Sequence, residues 1–265
     1  MTDATKAVRR RTTRQQRIVE HVVAHGSASV TDLVELTGVS LMTVHRDLDE
    51  LADRGVVRKF RGGVSAQPST VFEASSDYRL TVHLEQKEAI ARAALELIEP
   101  GSSVLLDDST TALALARHLG KLTPLTVVTN YARTLEALKT VPGVRLICLG
   151  GDYSRTHDSY IGMPCLEAIA SISVDTVCLS TSAMTSAMTY HQEQDITQIK
   201  RAMISRGERR VLLMDSSKSP RRALHQLAPV REFDHLVVDA DTDPQLLTEL
   251  RENTRVIVAK EVHPK

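Results

Sequence analysis

Cysteine is scarce. Cys148, Cys165 and Cys178 are the only three in 265 residues, too few and too scattered for a disulfide framework or a zinc site. Cys148 and Cys178 each fall inside a short apolar run, where a reduced thiol behaves as a small hydrophobe, so a reducing cytoplasm is expected. Long apolar runs are missing as well. Nothing approaches the roughly 20 residues of a membrane span, and the arginines near the N-terminus have no apolar segment behind them, so neither secretion nor membrane insertion is expected. Net charge is the third absence: 33 Lys+Arg stand against 33 Asp+Glu. Taken whole, that balance argues against a nucleic-acid partner. With 42% hydrophobic and 25% charged residues, the composition is that of an ordinary globule and excludes wholesale disorder. The length suits a small domain joined to a medium one.

The neutral total conceals an uneven distribution. Residues 1 to 66 hold 11 Lys+Arg and 8 acids, a net of +3, which leaves −3 for the remainder. Arg9, Arg10, Arg11, Arg14 and Arg17 fall in a stretch free of acids. A basic head on a weakly acidic body is the asymmetry of a nucleic-acid module joined to something else.

The head reads as three helices and a hairpin. Ile18, Val19, Val22 and Val23 repeat at helical spacing from Arg14 until Gly26. Ser29 suits the N-cap of a short helix through Thr37 that turns Val30, Leu33 and Val34 inward. Gly38 makes the turn, and Ser40 caps a third helix with Val44, Leu48 and Leu51 on one face until Gly55. Val56 to Val64 follows as two short β-type runs, one studded with cations and ending in a glycine pair, which predict a wing. The expected divisions are a basic arm over 1–13, a winged helix-turn-helix over 14–64, a linker over 65–76 interrupted by Pro68, and an α/β domain over 77–265.

A recognition helix buries one face and presents the start of another to the major groove. With Val44, Leu48 and Leu51 inward, the outward set is Ser40, Met42, Thr43, His45 and Arg46. Arg46 suits guanine acceptors, Thr43 a phosphate or a thymine methyl, and His45 either. Arg14 and Gln15 of the first helix, Thr31 of the second, and Arg58, Lys59 and Arg61 of the wing complete the candidate DNA contacts.

In the body, short β-branched runs alternate with helices. Strands are expected at 103–107, 125–130, 144–151, 176–180, 210–215, 235–239 and 255–259, with helices at 86–98, 111–119, 132–139, 196–206 and 245–251. Continuous apolar strands separated by helices indicate a mostly parallel sheet covered on both faces.

Residues 14 to 64 resemble the winged helix of the DeoR family of bacterial transcription regulators. The family pattern is met by Val39, Ser40, Thr43, Val44, Arg46, Asp47, Leu48, Leu51 and Gly55, with His45-Arg46 in place of the usual Arg-Arg. The match continues through 72-FE-73, 87-KEAIARAALELI-98, 126-TVVTN-130, 149-LGG-151, 199-IKRAMI-204 and 215-DSSK-218. It implies a sensor domain related to ribose-5-phosphate isomerase, double-stranded operator DNA as a partner, and repression of carbohydrate-catabolic genes. It further implies control by a phosphorylated sugar or related metabolite, in a homodimer or homotetramer that needs no cofactor.

Ligands of open parallel sheets bind at the carboxyl ends of the strands, where helix N-termini also point. Those ends read Asp107, Asp108, Ser109, Thr110 and Thr111, then Asn130, Gly150-Gly151, Ser180 and Lys218, with Lys200 in a segment that matches the family. Hydroxyls at a helix start and the charge of Lys218 suit a phosphate, Asp107 and Asn130 suit sugar hydroxyls, and the glycine pair allows close backbone approach. The chain departs from the family at Asp107-Asp108-Ser109, where Asp-Gly-Gly is common, and at 180-STSAM-184, where Gly-Ala-Asp-Gly is common. A second carboxylate beside a phosphate is unfavourable unless it points away or binds hydroxyls. An isomerase fused to a DNA-binding head is the alternative reading. It requires a carboxylate base such as Asp107, Asp108 or Glu193, and the acids that related isomerases carry at 180–184 are absent. His21 and His25 have no third ligand at metal spacing, so no metal is expected. His157-Asp158 and His191-Gln192-Glu193 lie in the two least regular segments, which offer a lid for the pocket, and read first as loop or surface histidines.

Overall fold

The computed structural model describes residues 3–66 and 75–261. The chain divides into two units, Met1–Val82 and His83–Lys265.

In the first unit, helix α1 (Asp3–His25) begins where an arm was expected. Residues 3 to 13 contain neither Gly nor Pro and are rich in Ala, Lys and Arg, so helical propensity carries the first helix back through them. Strand β1 (Ser27–Ser29) follows, then α2 (Val30–Thr37), capped by a reciprocal Ser29–Asp32 box and ended by left-handed Gly38. Ser40 caps α3 (Leu41–Asp53). Strands β2 (Val57–Phe60) and β3 (Gly63–Ala66) form the hairpin, and β1 pairs with β3 to make a three-stranded sheet. A three-residue strand is too short to show a period, which is why β1 was invisible in the sequence.

Ile18, Val22, Leu33, Val44, Leu48, Leu51, Val57 and Val64 form the core of this unit. Tyr78, on the short helix α4 (Ser76–Arg79), and Val82 bury against the same core. The unit therefore extends past the boundary expected at residue 76, and Ser65 belongs to β3 rather than to a linker. The central part of that linker, 67–74, with the 72-FE-73 match, lies outside the described residues.

The second unit is a doubly wound α/β domain. Helix α5 (Leu84–Leu95) leads into β4 (Ser103–Leu106), α6 (Thr110–Ala116), β5 (Leu125–Thr129), α7 (Ala132–Leu138) and β6 (Val144–Cys148). Next come the hairpin β7 (Asp152–Ser154) and β8 (Ser159–Ile161), α8 (Gly162–Ala170), β9 (Val174–Leu179), β10 (Ala183–Met184), β11 (Met188–His191) and α9 (Gln194–Ile204). The unit closes with β12 (Gly207–Met214), β13 (His225–Pro229), β14 (His235–Val238), α10 (Pro244–Arg251) and β15 (Arg255–Val258).

The main sheet has the order β15-β14-β12-β9-β4-β5-β6, and every pairing in it is parallel. These are the seven strands expected from the sequence. Alternation within them separates two cores. Val104 and Leu106 pack with α5 and α6 on one face, while Leu105 packs with α8 and α9 on the other. Cys178 is buried in the central strand β9, whereas Cys148 is exposed on the edge strand β6. The hairpin β7-β8, helix α8 and the small antiparallel sheet β10-β11-β13 were not anticipated, because their segments carry no sustained period.

Candidate functional site

Two surfaces hold the candidate residues, one in each unit. In the first unit, α3 starts with its Ser40 hydroxyl accepting from the Thr43 amide at 3.3 Å, with the Thr43 hydroxyl 2.9 Å away. That fixes the first turn, and Ser40, Met42, His45 and Arg46 are exposed beside half-buried Thr43. Met42 is 73% exposed, a large apolar side chain among polar ones. Arg58 and Arg61 are exposed on the wing, and Lys59 pairs there with Asp49. Thr31 is exposed at the start of α2.

Arg14 and Gln15 behave differently from the contact residues the sequence predicted. Arg14 grips Asp47 through Nε and Nη2 at 2.5 and 3.0 Å. Buried Gln15 donates to Asp47 at 3.2 Å and to Glu50 at 2.7 Å. Arg11 pairs with Glu50, and Arg17 donates to the Leu36 carbonyl at 2.9 Å. These side chains fasten α1 to α2 and α3, and Arg11 and Arg14 help hold the recognition helix. Asp47 is the residue missed by sequence reasoning. Its spacing from Val44, Leu48 and Leu51 places it on the inward face, where a carboxylate requires a partner.

In the second unit the chain reverses direction across the sheet between β4 and β9, neighbours whose successors run to opposite edges. Such a switch point leaves a crevice at the carboxyl ends. Asp107 and Ser180, the residues that follow these strands, meet there. Asp107 accepts from the Ser180 amide at 3.0 Å and from the Ser109 amide and hydroxyl at 3.1 and 2.6 Å. Lys200, from α9, donates to Asp107 and, at 3.1 Å, to Asp108. All three charged side chains are nearly inaccessible. Burial works against the Lys200 charge, but the fields and hydrogen bonds of the two carboxylates more than offset it and raise its pKa. Asp108 also accepts from Ser159 at 2.9 Å. The extra carboxylate is thus turned onto Lys200 and the β7-β8 hairpin. Lys200, expected among the ligand contacts, is here the counter-ion of both aspartates.

Lys218 is the more accessible cation. It donates to the Ser180 hydroxyl at 2.9 Å and lies 3.5 Å from Asp215. Burial pushes the Asp215 carboxyl up, yet Lys218, His83, the Ser217 hydroxyl and Lys87 outweigh this and hold it at about 2. Thr110 and Thr111 are buried at the start of α6, and the Thr111 hydroxyl has no hydrogen-bond partner. Asn130 is buried at the end of β5, with Nδ2 donating to the Tyr160 carbonyl at 2.9 Å and Oδ1 unpartnered. Gly150 and Gly151, after the edge strand β6, are exposed. His157 and His191 are both 2% exposed, contrary to the surface reading. His157 sits 3.0 Å from Glu193, and the His191 ring nitrogen accepts from the Glu193 amide at 3.1 Å. Among the described residues, no group of His, Cys, Asp and Glu is arranged to hold a metal ion, and no helix is long and apolar enough to cross a membrane.

Residues 14–70 match the DeoR-like helix-turn-helix domain, and residues 82–240 match the DeoR C terminal sensor domain. The chain belongs to the DeoR family. Among curated relatives of this DeoR-family chain, the uncharacterized HTH-type transcriptional regulator YgbI of Escherichia coli K12 is 33% identical over 226 residues, covering 85% of this chain and 89% of that one. The putative aga operon transcriptional repressor of Escherichia coli O157:H7 is 31% identical over 90% of both chains. The glycerol-3-phosphate regulon repressor of Escherichia coli K12 is 31% identical, covering 87% of this chain and 92% of that one. Among solved structures, ribose 5-phosphate isomerase A of Methanocaldococcus jannaschii aligns over 50% of this chain and 52% of its own, at 18% identity and a TM-score of 0.36, a partial likeness. The DeoR-family protein is therefore a transcriptional regulator that binds DNA through its first unit and a small-molecule effector through its second. The relatives are regulators, not enzymes, and the isomerase alternative is not favoured.

Proposed function

We propose that this DeoR-family protein is a cytoplasmic repressor of carbohydrate-catabolic genes, released from its operator by a phosphorylated sugar or related metabolite. The observation that carries the reading is the constellation at the switch point. Buried Asp107 and Asp108, neutralised in part by Lys200, supply acceptors for hydroxyls, with the Asn130 oxygen beside them in the fold. Lys218, across Ser180, supplies the accessible positive charge for a phosphate. Relatives named for the aga operon and the glycerol-3-phosphate regulon support the same class of metabolite.

The proposed DNA surface is Ser40, Met42, Thr43, His45 and Arg46 of α3, with Thr31, Arg58, Lys59 and Arg61 beside it. A winged helix of this size gains affinity when two copies span two half-sites, so the acting form is a homodimer or homotetramer. A coupling of about 1–3 kcal/mol between the sites changes operator affinity roughly 5- to 150-fold. The test is a thermal-shift panel of phosphorylated and free sugars, followed by operator binding with and without any hit. A phosphorylated hit that Lys218→Ala abolishes supports the reading; no shift with any phosphorylated sugar, or a hit indifferent to Lys218, sinks it.

A further inference from the structure

The proposed effector residues are closed off. Asp107, Asp108, Asn130 and Lys200 are each at most 3% exposed, so a metabolite reaches them only if something moves. The covering element is the β7-β8 hairpin, residues 152–161. Its Ser159 hydroxyl bonds Asp108. Its Tyr160 exchanges bonds with Asn130, amide to carbonyl and side-chain amide to carbonyl, both at 2.9 Å. Asp158 accepts from Arg133 at 2.6 Å and from the Ala132 amide at 3.0 Å, and His157 meets Glu193.

Nearly all of these fastenings are polar. Ile161 is the one aliphatic residue of the ten, so little apolar burial holds the hairpin down, the condition for local opening below the free energy of global unfolding. Its ends are built to turn. Gly151 has φ +141° and Gly162 φ +83°, conformations that L side chains rarely adopt. The two legs also cross closely: a Cβ on Gly151 would stand 2.3 Å from the Ile161 carbonyl, and one on Gly162 would stand 2.5 Å from the Asp152 carboxylate. Gly151, of the glycine pair read from the sequence as allowing close backbone approach, thus contributes a hinge.

We propose that the β7-β8 hairpin is the gate of the effector site, swinging on Gly151 and Gly162 to release Ser159 from Asp108 and Tyr160 from Asn130, which then face an entering ligand's hydroxyls. This rests on the effector reading above for what enters, but not for the motion itself.

The protein contains its own reporters of that motion. Cys165 is fully buried against the hinge, where a Gly151 Cβ would stand 3.0 Å from its own. Burial pushes its thiol up to about 12. Cys178 is buried in the central strand, and Cys148 is exposed. Under native conditions, the full-length chain treated with a thiol reagent should label at Cys148 first, at Cys165 next through gate opening, and at Cys178 only on unfolding. Ser159→Ala removes one latch and should raise the Cys165 rate about fivefold, the worth of roughly 1 kcal/mol of hydrogen bond, with Cys178 unchanged. Arg133→Ala acts on a half-exposed latch, spares the buried bond should Ser159→Ala misfold, and should raise the rate in the same sense. Equal labelling of Cys165 and Cys178, or a Cys165 rate that neither variant raises, overturns the gate. The labelling needs no ligand, so it is decided separately from the sugar-phosphate panel.

Discussion

The two units handle charge in opposite ways. In the DNA-binding unit, Arg11 and Arg14 of α1 are committed to carboxylates of α3, while Arg46 of the recognition helix and Arg58 and Arg61 of the wing stand exposed. In the sensor unit, Asp107, Asp108 and Lys200 are all buried at the switch point and answer one another. The first arrangement leaves charge free for a polyanion. The second stores polar groups behind a removable cover, where a ligand's hydroxyls replace protein partners. A chain with no net charge thereby has one unit drawn to DNA and another that keeps three charges buried at its switch point.

Removing one member of the buried set tests the contrast most severely. Lys200→Ala leaves two buried carboxylates without their counter-ion, and losing one side of such a network costs about 3–5 kcal/mol. Chemical denaturation of the full chain should show the sensor transition falling to lower denaturant, with the head transition unmoved. An unshifted sensor transition would mean that water already reaches the aspartates. The matching change in the head is Asp47→Ala. It frees Arg14 from α3 and leaves Gln15 only Glu50 there, costs about 1.5–3 kcal/mol for the lost charged hydrogen bonds, and should weaken DNA binding indirectly by loosening the recognition helix. If head stability holds while DNA affinity falls, Asp47 acts on DNA and not on packing.

Acid provides a subtler separation. The Asp215 carboxyl is held at about 2 against an ordinary 3.8. A depressed carboxylate contributes stability that is full above the unfolded value and is lost as the pH falls through the folded one. The sensor should therefore lose on the order of 2 kcal/mol between about pH 4 and pH 2 from this group alone. Asp215→Asn should flatten that limb in a pH series of thermal melts. An acid limb identical in the variant would place the titration elsewhere.

Legibility followed the same division. All seven strands of the main sheet and the capped helices of the head were readable, because continuous β-branched runs and Ser–Gly punctuation are local signals. The strand-end residues were readable too, since a parallel sheet dictates where its loops gather. What escaped was partnership across the chain. Lys200 looked like a ligand cation, yet it lies 93 positions from Asp107, which it pairs with. Arg14 and Gln15 looked like DNA contacts, while Asp47, which holds them, read only as part of a motif. His157 and His191 looked exposed because irregular segments usually are; His157 lies in a hairpin of two three-residue strands and His191 in the small β10-β11-β13 sheet, both too short to announce themselves.

Arg46 and Lys59 set the lower end of the scale and divide the exposed cations by role. Arg46→Ala should cost about 1–3 kcal/mol at one operator position, with head stability unchanged; an equal loss on random DNA would reduce Arg46 to a phosphate contact. Lys59 is the smaller case. It sits on the wing with its ammonium on Asp49, an exposed pair that contributes little to folding. For Lys59 to meet a phosphate, it must leave Asp49, so its gain on DNA is reduced by that exchange. Lys59→Ala should weaken operator and random DNA alike and lower the salt dependence by about one counter-ion. Asp49→Ala should do the reverse by freeing Lys59, strengthening binding to both. If neither substitution changes the salt slope, the pair stays closed on DNA, and the wing acts through Arg58 and Arg61 alone.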